Sequence, residues 1–205
     1  MKLIKTNDQS YTFFNEEYEE TYHSTSGALE EAKKKYVEPL NIEEGDVILD
    51  ICFGLGYNTF AAMLSKKNLK VIALENDERI LEALEEIELD NQFLIIKALA
   101  KNKKYLSKDY NLKLIVGDAR DTITELNQEF NKVFLDPFSP KKNPELWTTE
   151  FFKDIFKVML PGGKLATYSC AGQVRRNLNE AGFEVIDGPC IGRRAPSTIA
   201  IKPSD

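Results

Sequence analysis

The feature that most constrains this chain is an alternation that begins at Asp46. Strand-like apolar runs at 47–53, 71–74, 112–116, 132–135 and 164–169 are separated by segments with helical spacing, such as Ile80, Leu81, Leu84 and Ile87. Apolar runs without a period of two mark strands covered on both faces. Strands alternating with helices predict an α/β domain on a mainly parallel sheet. Helices are also expected at 59–65, 91–106 and 173–181, with closing strands at 183–186 and 197–201. Such sheets bind ligands at the carboxyl ends of their strands, near the point where the strand order reverses. Here the runs end at Gly54 and Gly56, Glu75, Asp118 and Asp136, so a glycine turn and three carboxylates are expected along one edge.

Residues 1–45 read as a small extension ahead of a domain at 46–205. Short β-like runs at 3–6 and 11–14 flank Asn7-Asp8-Gln9-Ser10, which predicts a hairpin. A helix is expected over 28–37, with Ser24 or Ser26 as its cap and Pro39 as its stop. The chain has one histidine, His23, and three isolated cysteines, Cys52, Cys170 and Cys190. That poverty argues against a metal centre, a disulfide framework or a Ser-His-Asp triad. The net charge of −6 argues against a surface that is basic all over but leaves room for a local basic patch. No apolar run approaches the ~20 residues of a membrane helix. The first eight residues turn polar before a signal-peptide core forms, so a soluble cytoplasmic chain with no membrane contact is expected.

The strand ends suggest a ligand. A Gly-x-Gly turn between strand and helix leaves bare backbone and helix N–H groups facing a bound molecule. Gly54-Leu55-Gly56 is followed by no Gly-Lys-Ser/Thr, and Thr59 stands where a dinucleotide fingerprint has its third glycine. Glu75 lies 21 residues after Gly54, where a carboxylate accepts from ribose hydroxyls. Asp118 is placed to accept from an adenine amino group. An adenosine with a short amino-acid tail, S-adenosylmethionine, fits this set better than a dinucleotide does. Taken singly, each acid reads equally well as a solvated loop carboxylate, and the glycines as a tight turn. Asp136-Pro137-Phe138-Ser139-Pro140 ends the fourth run in a stiff loop. In amine methyltransferases an acidic or amide residue before proline at this point accepts from the nucleophilic nitrogen, and Asp136 resembles it, although it would also cap a following helix.

Three segments carry a resemblance: Phe53-Gly-Leu-Gly-Tyr-Asn58, the long run from Phe134 through Asp136-Pro-Phe-Ser-Pro-Lys-Lys-Asn-Pro-Glu-Leu-Trp147, and Leu165-Ala-Thr-Tyr-Ser-Cys-Ala-Gly-Gln-Val-Arg-Arg176. Glu180-Ala-Gly-Phe183, Gly192-Arg-Arg194 and Tyr22-His-Ser-x-x-Gly-Ala28 with Glu31 extend it. Together they resemble the methyltransferase half of the MnmC family, which makes 5-methylaminomethyl-2-thiouridine at the tRNA wobble position. The resemblance implies a class I S-adenosylmethionine-dependent methyltransferase, Rossmann-like, with a seven-stranded, mainly parallel sheet. It implies that Gly54, Gly56, Asn58, Glu75, Asp118, Ala119, Ser24, Gly27 and Glu31 hold the cofactor and that Asp136 is catalytic. The substrate implied is 5-aminomethyluridine, with or without 2-thio, in a tRNA anticodon stem-loop. Longer family members also carry an FAD oxidase domain. The chain stops at Asp205, so neither that domain nor FAD is expected. Cys52 stands where family members more often have glycine, and Leu55 where they often have threonine.

Aromatic Tyr22, Phe138 and Trp147 are candidates for walling an unstacked uridine, or for plain core packing. Lys141, Lys142, Arg175, Arg176, Arg193 and Arg194 are candidates for RNA phosphates. Lys101, Asn102, Lys103 and Lys104 read as an exposed helix end. Two other readings stay open. One is a small-amine methyltransferase or aminopropyltransferase on the same fold; the other is a non-catalytic RNA-binding module.

Overall fold

The computed structural model describes residues 1–88, 91–191 and 194–204. Its first strands, β1 (Lys2–Lys5), β2 (Tyr11–Asn15) and β3 (Glu20–Thr21), form a three-stranded antiparallel sheet in that order. The expected hairpin is present, with Lys2 opposite Phe14 and Lys5 opposite Tyr11.

The helix that follows departs from expectation at both ends. Helix α1 (Ala28–Ala32) begins at Gly27, and neither Ser24 nor Ser26 caps it. The caps come from the hairpin turn. Ala28 N–H donates to Ser10 Oγ (3.1 Å) and Glu30 N–H to Asp8 Oδ2 (2.9 Å). Ser24 Oγ instead accepts from Ser26 N–H, 3.2 Å away, in its own turn. At the other end Pro39 does not stop the helix. A π-helical turn, Lys33–Val37, intervenes, and α2 (Glu38–Leu40) starts afresh with Pro39 in its first turn. A proline there lacks only an N–H that has no intrahelical partner. Asn41 ends the helix in the left-handed conformation, φ 49°.

Then the alternation takes over: β4 (Val47–Ile51), α3 (Tyr57–Ser65), β5 (Leu69–Glu75), α4 (Glu78–Ala83), α5 (Leu94–Asn102), β6 (Lys104–Leu106) and β7 (Tyr110–Val116). It continues with α6 (Ala119–Thr122), β8 (Phe130–Leu135), α7 (Thr149–Val158), β9 (Met159–Thr167), α8 (Gly172–Glu180), β10 (Glu184–Asp187) and β11 (Thr198–Ile201). The large sheet runs β10-β11-β9-β8-β4-β5-β7-β6, with parallel pairing from β9 through β7. Eight strands replace the seven expected. The extra one is β6, where the residue pattern predicts the end of a helix over 91–106. Lys103 turns left-handed at φ 60°, and the chain folds back antiparallel on β7. Only Lys101 and Asn102 of that basic stretch lie in the helix. The Pro161-Gly162-Gly163 turn interrupts β9, which rejoins β8 at Lys164.

Both faces of the central strands β4, β5 and β8 are buried, which is why they read as apolar runs. Ile48, Phe134 and Ala166 face one core, with Phe60, Ile96 and Tyr36. Their neighbours Leu49, Val133 and Leu165 face the other, with Phe152, Ile155 and Leu178. Phe13, Ala28, Tyr36 and Leu40 of the first 45 residues belong to the first of these cores. The strand order turns back at β4, between β8 on one side and β5 on the other.

Candidate active site

The carboxyl ends of β4, β5, β7 and β8 open on a cavity of about 650 Å³. Gly54, Glu75, Asp118 and Asp136, the four strand ends that the alternation points to, all line it. So do Ser24, Glu31, Ala119, Tyr22 and Phe138 among the expected site residues. Gly27 lines a neighbouring outer cavity that shares Ser24 and Glu31 with the first. Gly56 and Asn58 stand behind the wall. A Cβ on Gly56 would meet the Phe53 ring at 2.5 Å and Ile96 at 2.7 Å, so this glycine is fixed by close packing as well as by its φ of 73°.

The backbone at Cys52 shows why glycine suits this position. It adopts φ 66°, a left-handed conformation that costs a residue with a Cβ about 1–2 kcal/mol. Cys52→Gly is expected to raise stability by about 1 kcal/mol in urea unfolding. A loss of stability would show that the half-buried side chain packs better than the turn is strained.

Glu75 is buried at the end of β5 and accepts three backbone N–H groups. Gly54 donates to Oε2 at 2.7 Å; Asn76 and Asp77 donate to Oε1, each at 2.9 Å. Burial nonetheless pushes its carboxyl upward, against those three bonds. Glu75 therefore ties the glycine turn to the second strand end while presenting its remaining lone pairs to the cavity. Asp118 caps α6, accepting from Arg120 N–H at 2.9 Å, and pairs with the Arg120 guanidinium at 2.6 Å.

Asp136 has the densest surroundings. Tyr36 Oη donates to Oδ1, Asn58 Nδ2 donates to Oδ2 at 2.9 Å, and His23 Nδ1 lies 3.8 Å from Oδ2. Burial pushes the Asp136 carboxyl up, His23 opposes that shift, and Glu31 adds to it. Tyr36 is a partner that the sequence does not disclose, lying 100 residues away.

Asp50 sits deeper on β4. Its Oδ2 accepts from Thr59 Oγ1 at 2.6 Å, and Oδ1 is buried with no hydrogen-bond partner among the described residues. Burial pushes its carboxyl up to about 7, opposed by the Thr59 hydrogen bond and helped by Asp136. The folded chain thus keeps a proton that the unfolded chain loses near the ordinary value of 3.8. Stability from this group is complete below about pH 4 and lost as the pH rises through about 7. Across that window the parent is expected to lose about 4 kcal/mol more stability than Asp50→Asn, which removes the slope due to this group. Parallel profiles for the two proteins would contradict this.

The loop after Asp136 is clamped from several sides. Trp147 is buried, and its indole N–H donates to Phe138 O at 2.9 Å. It braces the loop from the core and is not on the cavity wall, because its large apolar body packs edge-on against Tyr168. Tyr168 Oη donates to Pro137 O at 3.0 Å. Ser139 donates through both N–H and Oγ to Glu20 of β3, and Lys142 pairs with Glu19. Phe138 stacks on Tyr18, with ring centroids 4.3 Å apart, and leans on Tyr22 at 5.0 Å. Tyr18, Tyr168 and Glu20 also line the cavity. Tyr168 lies within the Leu165–Arg176 segment, whereas a Tyr-rich stretch beside the hairpin is the only sequence signal for Tyr18 and Glu20.

The basic candidates split. Lys142 is engaged by Glu19, and Arg175 pairs with Asp187 at 2.6 Å. Lys141, Arg176 and Arg194 are exposed. Arg193 lies outside the described residues. Helix α8, which carries Arg175 and Arg176, is tied to the clamped loop by Asn177 Nδ2 donating to Trp147 O at 2.7 Å. No described helix is long and apolar enough to cross a membrane.

The described cavity wall carries eight carboxylates (Glu17, Glu20, Glu31, Glu75, Asp77, Asp118, Asp136 and Glu145) against one guanidinium, that of Arg79. A cavity so acidic favours a cationic ligand. A sulfonium nucleoside with an amino-acid tail meets that requirement, and the Gly54 turn and the buried Glu75 fit its adenosine part. Fold and site together define a nucleoside-binding α/β enzyme built to handle cations.

Comparison with known proteins narrows this. Residues 81–203 match the model of a family of S-adenosyl-L-methionine-dependent methyltransferases. An uncharacterized protein of Methanocaldococcus jannaschii is 37% identical over 210 residues, covering 98% of this chain and 59% of that protein. The tRNA 5-methylaminomethyl-2-thiouridine biosynthesis bifunctional protein MnmC of Ralstonia nicotianae is 30% identical, covering 94% of this chain and 33% of that protein. The crystal structure of MNMC2 from Aquifex aeolicus superposes with a TM-score of 0.85 at 32% identity, covering all of this chain and 71% of that one. The chain belongs to the S-adenosyl-L-methionine-dependent methyltransferases, within their MnmC group. It spans about a third to three-fifths of the length of these curated relatives.

Proposed function

We propose that this chain methylates the primary amine of 5-aminomethyluridine, with or without 2-thio, at the tRNA wobble position. The observation that carries the reading is Asp136: a carboxylate held by Tyr36 and Asn58 in an acid-lined cavity, in the loop that also carries Phe138. Bound S-adenosylmethionine supplies an electrophilic methyl group. Gly54, Glu75, Asp118 and Ala119 are the residues we assign to its nucleoside, with Ser24 and Glu31 toward its tail. Gly27 and Asn58 support these positions from behind. Asp136 orients the amine and stabilises the positive charge that grows on nitrogen.

Tyr18, Tyr22 and Phe138 offer aromatic faces to a base lifted out of a single-stranded loop. Lys141, Arg176 and Arg194 are exposed cations suited to phosphate, with Lys142 and Arg175 available where an RNA phosphate displaces their carboxylate partners. The acid excess keeps phosphates out of the cavity and confines them to its surroundings, which agrees with a net charge of −6. The extension at 1–45 contributes Tyr22, Ser24 and Glu31, so in this reading it completes the site.

Labelled cofactor supplied with tRNA bearing the aminomethyl group, and separately with free polyamines, tests the proposal. Label is expected in the tRNA only. Label in the polyamine would favour a small-amine transferase, and label in neither a non-catalytic binder.

A further inference from the structure

The chain's single histidine lies in the active site, and the chemistry assigned to Asp136 leaves it without a role. His23 is 7% exposed and lines the cavity. Its Nδ1 faces Asp136 Oδ2 at 3.8 Å. Its Nε2 is buried with no hydrogen-bond partner among the described residues. Its backbone N–H is fixed by Thr12 Oγ1 of β2 at 2.9 Å, and its ring meets Tyr57 of α3 edge-on at 5.2 Å. Glu31 of α1 is the second carboxylate close enough to feel the imidazole's charge, and it is itself paired with Lys35. The ring is held firmly, while its two nitrogens are left to acids and to the cavity.

Amine methylation poses a problem that this arrangement answers. The acceptor arrives as an ammonium and must shed a proton before its nitrogen has a lone pair. If Asp136 kept that proton, it would lose the charge that stabilises the nitrogen as the new bond forms. We propose that His23 stores the proton, so that Asp136 stays ionised during methyl transfer; the inference rests on the amine-methylating function above. The N–H bond of R–CH2–NH3⁺ breaks, and the proton passes through Asp136 to His23 Nδ1, leaving the electron pair on nitrogen. That pair forms the N–CH3 bond as the C–S bond breaks, and the C–S pair stays on sulfur. The products are a secondary ammonium, a neutral thioether and one proton. Asp136 and Glu31 flank the imidazolium and stabilise it. Glu31 lines both cavities, with Lys35 in the outer one, and the stored proton leaves to solvent before the next turnover. His23 is thus a positioning residue that acts through Asp136.

Two measurements test this. Single-turnover methyl transfer by His23→Asn and His23→Gln is expected to be about 10²-fold slower near pH 7. It should approach the parental rate near pH 10, where the amine arrives neutral, with KM for tRNA unchanged. A parental rate at pH 7, or an equal loss at every pH, would overturn the proposal. The second measurement is a double-variant cycle. Because His23 acts through Asp136, adding His23→Asn to Asp136→Asn is expected to slow methyl transfer no further than Asp136→Asn alone. Losses that multiply would overturn the proton path. Absence of methyl transfer by the parental chain overturns instead the proposed function.

Discussion

Asp136→Ala is expected to slow methyl transfer by about 10²–10⁴-fold while cofactor binding persists. The size follows from what the carboxylate does. In the proposed reaction it orients the amine and faces the positive charge that develops on nitrogen. Alanine also leaves the Tyr36 hydroxyl and the Asn58 amide without their acceptor, at a cost of about 1–3 kcal/mol in stability. Asp136→Asn keeps a carbonyl oxygen for one of these donors and separates the two effects. It should fold nearly as well as the parent and still be slow. A parental rate in either variant would remove Asp136 from the reaction.

The second large effect is expected at Glu75, and glutamine is the informative replacement. Each Glu75 oxygen already accepts at least one backbone N–H, from Gly54 on one side and from Asn76 and Asp77 on the other. An amide must therefore turn its NH2 toward a donor whichever way it lies. Glu75→Gln is expected to cost about 2–4 kcal/mol in thermal or urea unfolding. It should also weaken cofactor binding by about 10²-fold, because the same carboxylate sets the Gly54 turn. Calorimetry of cofactor binding at a temperature where the variant is folded reads the second effect. Unchanged affinity would mean that the turn is held by other contacts.

Much of this site is legible in the amino-acid order alone. Parallel strands bring their carboxyl ends to one edge whatever the loops do, so Gly54, Glu75, Asp118 and Asp136 meet in one cavity as the alternation implies. The features that escape such a reading depend on partners remote in sequence. Tyr36 reaches Asp136 from within the π-helical turn, and no local pattern announces such a turn. The cap of α1 comes from Asp8 and Ser10, across the hairpin, and so displaces the local serines. The strand β6 is three residues long and follows a helix with no glycine to end it; a left-handed Lys103 does that work. Trp147 reads as a base-stacking residue from its type and place in the motif. Its burial follows from the need to brace a loop whose two prolines provide no N–H of their own.

The acidity of the chain also acquires a place. The opposition between a net charge of −6 and an anionic substrate is resolved in space. Eight carboxylates gather where a sulfonium and an ammonium would meet, and the exposed cations Lys141, Arg176 and Arg194 are not on that wall.

The most direct test of amine methylation at the wobble base uses three otherwise identical tRNAs. Their wobble uridine carries an aminomethyl group, a carboxymethylaminomethyl group or no substituent. After incubation with the chain and cofactor, each is digested to nucleosides and analysed by mass. One added methyl is expected on the aminomethyl nucleoside alone, since the acid-lined cavity rejects the carboxylate and the bare uridine offers no amine. Methylation of all three tRNAs, or of a different nucleoside in any of them, would contradict the assigned function.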